Sequence, residues 1–527
     1  MTRKTRSQIR LLGFLALVYV PILLVTLVAA QVNNDATTAP SCQSLTLTLE
    51  EATVTLPGTS YGDVRITTRL FDGTYPGPTL LWYPGDCWHV TFFNALSTSQ
   101  SNGIPFRNNI LSAPDETNLH FHGLHISGEL PSDDTSLVIP PGGNYTYTIQ
   151  VPDYHMPGTH WYHPHRHGSS ALQVGGGAVA ALIIADPPGY LPAALENAPE
   201  IVFLVHALDV PELRHMAREM QDNLLRVENH NGVTITVNGQ ILPEFRITAG
   251  TWTRIRILWA DWRKGTLDWD LQSSDSNGDC QVYLLAKDGM YIRDFPRRMV
   301  APMPLLAGSR ADVMVQCLAP GQIHTITGPN GTAIARLNVV GEAEVKSLPT
   351  WAPDWPDYLP DLTEAQTSPG CSAVTRLDGH AINGKLYDHS VILHHSYRGA
   401  VIERRLCLDD HPYHQHVYPF QIIQGFGASE SENAFYRVGD WQDVVQGRGV
   451  MRYQANDFAG KLMLHCHQLE HEDEGMMAVE MIHETISEFE ALYPPSSSHP
   501  TLATIPTARN GSQLRGFYFV LIYSLFW

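Results

Sequence analysis

His465-Cys466-His467 sets two imidazoles on either side of one thiol, and His471 and Met476 follow close behind. In an extended strand successive side chains point to opposite faces, so Cys466 faces one way and His465 and His467 the other. A thiolate, a nearby histidine and a thioether make the donor set of a blue-copper electron-transfer site. The two flanking imidazoles are then free to serve a second metal site behind it. One peptide segment would join two metal centres, which has a purpose only if electrons arrive at one and leave at the other.

The partners for such a scheme are present. His120-Phe121-His122 and His163-Pro164-His165 each offer a His-x-His pair, and His411-Pro412-Tyr413-His414-Gln415-His416 offers a third with one more histidine ahead of it. If that run is extended, His414 and His416 share a face and His411 points the other way. The sum is eight histidines for a cluster, with His411 and His471 left to join Cys466. One pair in a chain with 25 histidines carries little weight. Four motifs, the last two supplying extra ligands at workable spacing, carry much more. A structural zinc site is a closed set of four ligands, and this set is too large for that.

These motifs resemble those of the multicopper oxidases, the family of laccases, ferroxidases and bilirubin oxidases, over most of residues 44–490. The ending His465-Cys466-His467…His471-Glu472-Asp473…Met476-Met477 is similar to the bacterial-type members with an axial methionine. It is less like the plant and white-rot laccases, which lack that methionine. The resemblance implies four copper ions. The type 1 copper would take His411, Cys466 and His471, with Met476 axial, and the type 2 copper His120 and His414. One type 3 copper would take His122, His163 and His467, and its mate His165, His416 and His465. It also implies a mechanism: a reductant gives up electrons one at a time at the type 1 site, they pass through Cys466, and dioxygen is reduced to water at the cluster.

Dioxygen reduction consumes protons. By the same resemblance Glu472 is a proton-feeding acid, one of Asp133 and Asp134 is a second, and Asp443 is an acid that orients the type 1 histidine. Each competes with an ordinary surface carboxylate. His125, His160 and His167 fall on no ligand position and read as pocket-lining or solvated groups. His394 and His395 are adjacent, so a strand would turn them to opposite faces. Met216 and Met220, at helical spacing beside His215, read as a core stripe.

The elements that position these groups read as strands. Leu45–Leu49 and Thr234–Val237 alternate with period two. Asp72-Gly73, Asn238-Gly239 and Asn383-Gly384 are turn signals. The first two lead similar stretches that run through Gly85 and Gly250 into an apolar strand, which points to domain duplication. A chain of 527 residues is also too long for one core. The family implies an all-β fold of three cupredoxin-like Greek-key sandwiches. The expected limits are 44–190, 195–346 and 371–492, with 347–370 as a linker; the middle copy holds no ligand, which puts the cluster between the first and third.

Residues 1–30 carry Arg3, Lys4, Arg6 and Arg10 ahead of an apolar run to Ala30, a secretory signal, or an anchor if uncleaved. Residues 493–527 form a Ser/Pro/Thr-rich tail with a short apolar end. Sequons at Asn144, Asn330 and Asn510 fit a secreted, extracellular glycoprotein; membrane contact would run only through the leader or the tail. Setting Cys466 aside leaves six cysteines, enough for up to three disulfides of undetermined pairing.

A formal charge of -19 argues against nucleic acid as a partner. The expected reductant is a phenol or aromatic amine, with dioxygen as the acceptor. Fe(II) or Cu(I) oxidation is the alternative, favoured by the acidic run Glu470, Glu472, Asp473 and Glu474. A copper-binding electron-transfer protein without oxygen chemistry is a third reading, which the full histidine set opposes.

Overall fold

The computed structural model describes residues 41–59, 62–97, 103–272, 279–342, 345–431 and 434–493. The expected leader, the tail beyond residue 493 and the Asn510 sequon lie outside them. The chain is all-β: the described residues build six sheets, two for each of three cupredoxin-like sandwiches. No helix among the described residues is long and apolar enough to cross a membrane.

The first sandwich pairs a five-stranded sheet with a four-stranded one. The four-stranded sheet carries the first two histidine motifs, on His120–His122 and Gly158–His163, which run antiparallel with His120 opposite His163. The middle sandwich has seven- and five-stranded sheets, and none of its strands carries a His-x-His motif. The third has six- and five-stranded sheets. In the latter, Tyr413–Gln415 lies against Gly460–Cys466, so that His414 faces His465 and Tyr413 faces Cys466. Register thus delivers each late motif to the same place.

Repetition shows in detail at the turns. Asp72, Asn238 and Asn383 all have positive φ (47°, 50° and 50°), as do the glycines that follow them. Each reaches back to an earlier strand in the same way. The backbone N–H of each donates to a carbonyl, of Thr48, Leu204 and Arg376 respectively, at 2.8 Å. Its side-chain oxygen accepts from the N–H of that same residue. Asp and Asn tolerate the left-handed region and bond the backbone locally, which is why this turn needs them ahead of glycine.

Each sandwich closes on its own core: Phe71, Phe92, Phe121 and Tyr147 in the first; Trp259, Trp269, Val313 and Leu337 in the middle; Phe420, Met451, Leu464 and Met476 in the third. A separate cluster containing Trp161, Leu204, Trp262 and Leu469 welds them together. Each fully buried large side chain contributes roughly 1.5–3 kcal/mol, so this seam is a substantial part of the structure. Met216 and Met220 sit in it, on and just after the helix Val210–Glu219, as a core stripe. One strand crosses the expected middle limit: Arg226–Glu228 pairs with Gly62–Phe71 of the first sandwich. The 347–370 segment packs Tyr358, Leu359 and Leu362 into the interior and works as a strap.

Two disulfides form, Cys42–Cys87 and Cys280–Cys317, while Cys371 and Cys407 are free thiols. The reason is register. Ser372, next to Cys371, faces Glu403, whereas Cys407 faces Arg376, so the two cysteines lie at opposite ends of a parallel pair. At about 3.3 Å per residue they are far beyond disulfide reach.

Candidate metal centres

The strand Gly460–Cys466 ends at Cys466, and the short helix Leu469–Asp473 follows at once, which returns His471 to the thiol. Cys466 Sγ is 3.6 Å from His411 Nδ1 and 4.0 Å from His471 Nδ1, and those two nitrogens are 3.2 Å apart. The Gln468 amide donates to the sulfur at 3.4 Å. Met476 is buried below; its N–H donates to the His471 carbonyl and its carbonyl accepts from the Cys466 N–H. Burial pushes the Cys466 thiol up. His471 is the half-buried member of the set, and its outer face is covered by the ring of His380, 4.7 Å away and held by Glu474.

On the far side of the same strand the eight histidines converge. His465 Nε2 lies 3.1 Å from His165 Nε2 and 3.2 Å from His416 Nε2. His120 stacks on His416 at 4.0 Å and His122 on His414 at 3.9 Å, the first sandwich meeting the third ring to ring. His467 lies 5.0 Å from His122 and 5.9 Å from His163, centroid to centroid. Burial lowers the pKa of all eight, to about 3 for His163 and about 4 for His465. They are neutral imidazoles.

Four of the outer nitrogens are committed. His120 Nδ1 meets Asp133 Oδ2 at 2.8 Å, and the Nδ1 of His163, His414 and His465 meet the carbonyls of Pro164, Asp443 and Cys466 at 2.9 Å. The three carbonyl contacts make Nδ1 the proton-bearing atom of those rings and leave their Nε2 a lone pair. The Nε2 atoms of His120, His122, His163, His414 and His467 are buried without a hydrogen-bond partner among the described residues. Buried polar atoms rarely go unpaired. Convergent, neutral imidazoles, four of them anchored from outside, are the donor set of a transition-metal site, so these residues fit copper.

The acids divide as follows. Asp133 is the one at the cluster: besides His120 it accepts from the Phe121 N–H, and burial holds its carboxyl well above the usual range. Asp134 faces Ser136 instead. Glu472 is fully buried, 3.4 Å from His165 Nδ1 and 3.7 Å from His465 Nδ1, with its pKa raised by burial and by Asp473. Asp473 is buried beside it and accepts from the N–H groups of Gly168, Ser170 and Ala171. Only Glu470 and Glu474 of the acidic run reach toward the surface, because the short helix turns the other two inward.

Asp443 corrects the sequence expectation. Its described contacts are not with His411: its carboxylate lies 3.7 Å from His122 Nε2 and 3.9 Å from His414 Nδ1, and its carbonyl takes the His414 proton. The cause is pairing. Val444 faces His414, a residue on the cluster side of the strand. Burial pushes the Asp443 carboxyl up to about 7, against the pull of the Arg310 guanidinium.

His125, His160 and His167 are buried and not solvated. His125 bridges the Val417 carbonyl and Asp457, at 2.8 and 2.7 Å, and so ties the first sandwich to the third. His394 bonds Thr375 while His395 turns to His483, opposite faces as expected.

Residues 100–189 and 360–484, the stretches that hold all twelve candidate donors, match models of the multicopper oxidase family. The chain belongs to the multicopper oxidases. Its members are copper-dependent oxidoreductases that use dioxygen. Among characterised relatives, a multicopper oxidase of Staphylococcus aureus is 24% identical over 77% of this chain and 82% of its own length. One of Mycobacterium tuberculosis is 24% identical over 82% and 85%. Two solved structures share the fold. A laccase of Pediococcus acidilactici has a TM-score of 0.63 at 22% identity, covering 84% of this chain and 90% of its own. A multicopper oxidase of Campylobacter jejuni, described as a metallo-oxidase, has 0.62 at 20%, covering 86% and 93%.

Sequence reasoning missed three groups around this multicopper oxidase site: Arg310 and Asp288 of the middle sandwich, and Ser170, whose hydroxyl donates to Asp473 at 2.7 Å. None stands near a histidine motif along the chain beyond Ser170, so no local signal marks the other two.

Proposed function

We propose that this chain is a four-copper oxidase that takes electrons from a phenol or aromatic amine beside His471 and delivers them to dioxygen at the histidine cluster. The observation that carries the reading is the strand end at which Cys466 faces one donor set while His465 faces the other. His411, Cys466, His471 and Met476 would hold the type 1 ion. His120 and His414 would hold the type 2 ion. His122, His163 and His467 would hold one type 3 ion, and His165, His416 and His465 the other. Bound copper supplies one-electron redox chemistry, and four electrons with four protons convert dioxygen to two waters.

The chain's own residues do the rest. The carbonyls of Pro164, Asp443 and Cys466 fix the tautomers of His163, His414 and His465, and Asp133 orients His120, so that Nε2 faces inward. Glu472, buried and raised, holds a proton at its carboxyl beside His165 and His465, where oxygen reduction consumes it. Burial at the junction keeps all eight rings out of bulk solvent.

His471 borders a cavity of about 260 Å³ lined by Trp262, Asp209, Glu212, Glu470, Arg263 and Lys264. Trp262 lies behind this cavity, buried in the seam between the sandwiches. The three carboxylates favour a second reading, Fe(II) or Cu(I). The structurally similar proteins include both a laccase and a metallo-oxidase. Oxygen uptake measured in parallel with a phenol, Fe(II) and Cu(I) decides: we expect turnover with the phenol, and fast Fe(II) turnover beside none with phenols would replace the first reading by the second. We place the protein outside the cytoplasm, on its leader-like first 30 residues and its two disulfides.

A further inference from the structure

The middle sandwich contributes none of the twelve candidate donors, yet it reaches the back of the histidine cluster. Arg310, fully buried at the start of the strand Arg310–Cys317, spends all five guanidinium N–H groups there. Nη1 and Nη2 fork onto the two Asp443 carboxylate oxygens at 2.8 and 2.6 Å. The remaining three donate to the carbonyls of Thr159, Gly308 and Asp288 at 3.2, 3.0 and 2.9 Å. Asp288 completes the grip: its carboxylate accepts from the N–H groups of Asp443 and Val444, both at 3.2 Å. The peptide so clamped is the one whose carbonyl takes the His414 Nδ1 proton.

Space for this clamp is reserved by glycines. A Cβ on Gly123 would come within 2.2 Å of Arg310 Nη2, and one on Gly308 within 2.7 Å of the His467 ring. The middle sandwich therefore touches the cluster at His467 directly and at His414 through Asp443.

We propose that Arg310 is a positioning residue for the histidine cluster, acting through Asp443 to set the orientation and tautomer of His414; this rests on the copper reading above. A lysine could keep the charge but not the planar fork. The test uses the full chain purified with copper, as wild type, Arg310→Lys and Asp443→Asn. Copper per chain, the paramagnetic resonance signal of histidine-bound copper, the visible absorption of the Cys466 site and the melting temperature are recorded for each. We expect copper affinity at the cluster to fall about 10–100-fold with an altered resonance signal, while the Cys466 absorption persists. Full copper with an unchanged resonance signal in both variants overturns the proposal. So does equal loss at both sites in step with a lowered melting temperature, since that is a merely structural role. If Arg310→Lys fails to fold, Asp443→Asn decides, because it keeps the side chain's shape. Wild-type protein that binds no copper would instead sink the copper reading itself.

Discussion

The two donor sets are back to back on one strand but are built in opposite ways. The Cys466 set comes from the third sandwich alone, its donors close together in sequence apart from His411, and one of its histidines is half exposed. The eight-histidine set is split between the first and third sandwiches and braced by the middle one, and every ring is buried. The first is a local arrangement that a single sandwich can hold. The second exists only where the first and third sandwiches meet. Their protonation differs too: one needs a proton removed before it binds metal, the other has already been left neutral by burial.

The sharpest way to break the comparison is at the shared strand. Cys466→Ser should abolish the visible absorption and oxidase turnover while copper at the histidines remains, read by absorption, oxygen uptake and metal analysis. Survival of both colour and turnover would refute the electron path. Next in size is Glu472→Gln, which keeps the volume but loses the transferable proton. We expect kcat to fall by about 10²-fold or more with copper content unchanged. Rates that stay at wild-type values across the pH range would remove Glu472 from the proton path.

Copper loading should separate the two sets by pH. In the metal-free chain the Cys466 thiol keeps its proton, since burial pushes it up, and each ion bound as thiolate releases that proton. Affinity there should fall about tenfold for each unit the pH drops. The imidazoles are held neutral by burial, with His163 at about 3 and His465 at about 4, so above pH ~5 no proton competes for these ring nitrogens. Titration of wild type against Cys466→Ser at several pH values checks this, and parallel slopes would contradict it. The smallest effect belongs to His380, which stacks on His471 and touches nothing at the cluster in its described contacts. His380→Ala should shift the reductant's KM by about two- to fivefold and leave the dependence on oxygen concentration alone.

Legibility followed the same division. Period-two parity was enough to send Cys466 one way and His465 the other, and the structure places them so. Turn residues announced the three repeats, because only a left-handed Asp or Asn followed by glycine makes that corner. What stayed hidden depended on contacts between distant segments. Whether Asp133 or Asp134 meets His120 depends on how one loop bends, and that Asp443 serves His414 follows from strand pairing. Arg310 carries no motif at all; it matters because three sandwiches meet where its fork ends. Disulfide partners were likewise a matter of register between strands.

The strand Arg226–Glu228 has a further consequence. It zips onto the outer side of Gly62–Phe71 from a stretch of chain that then goes on to build the next sandwich. A fragment cut off near residue 190 would lose that cover and bare a row of unpaired N–H and C=O groups, an open template for other chains. The N-terminal third should therefore be sticky when made alone, and dissecting this molecule into separate pieces should give aggregates in place of tidy modules.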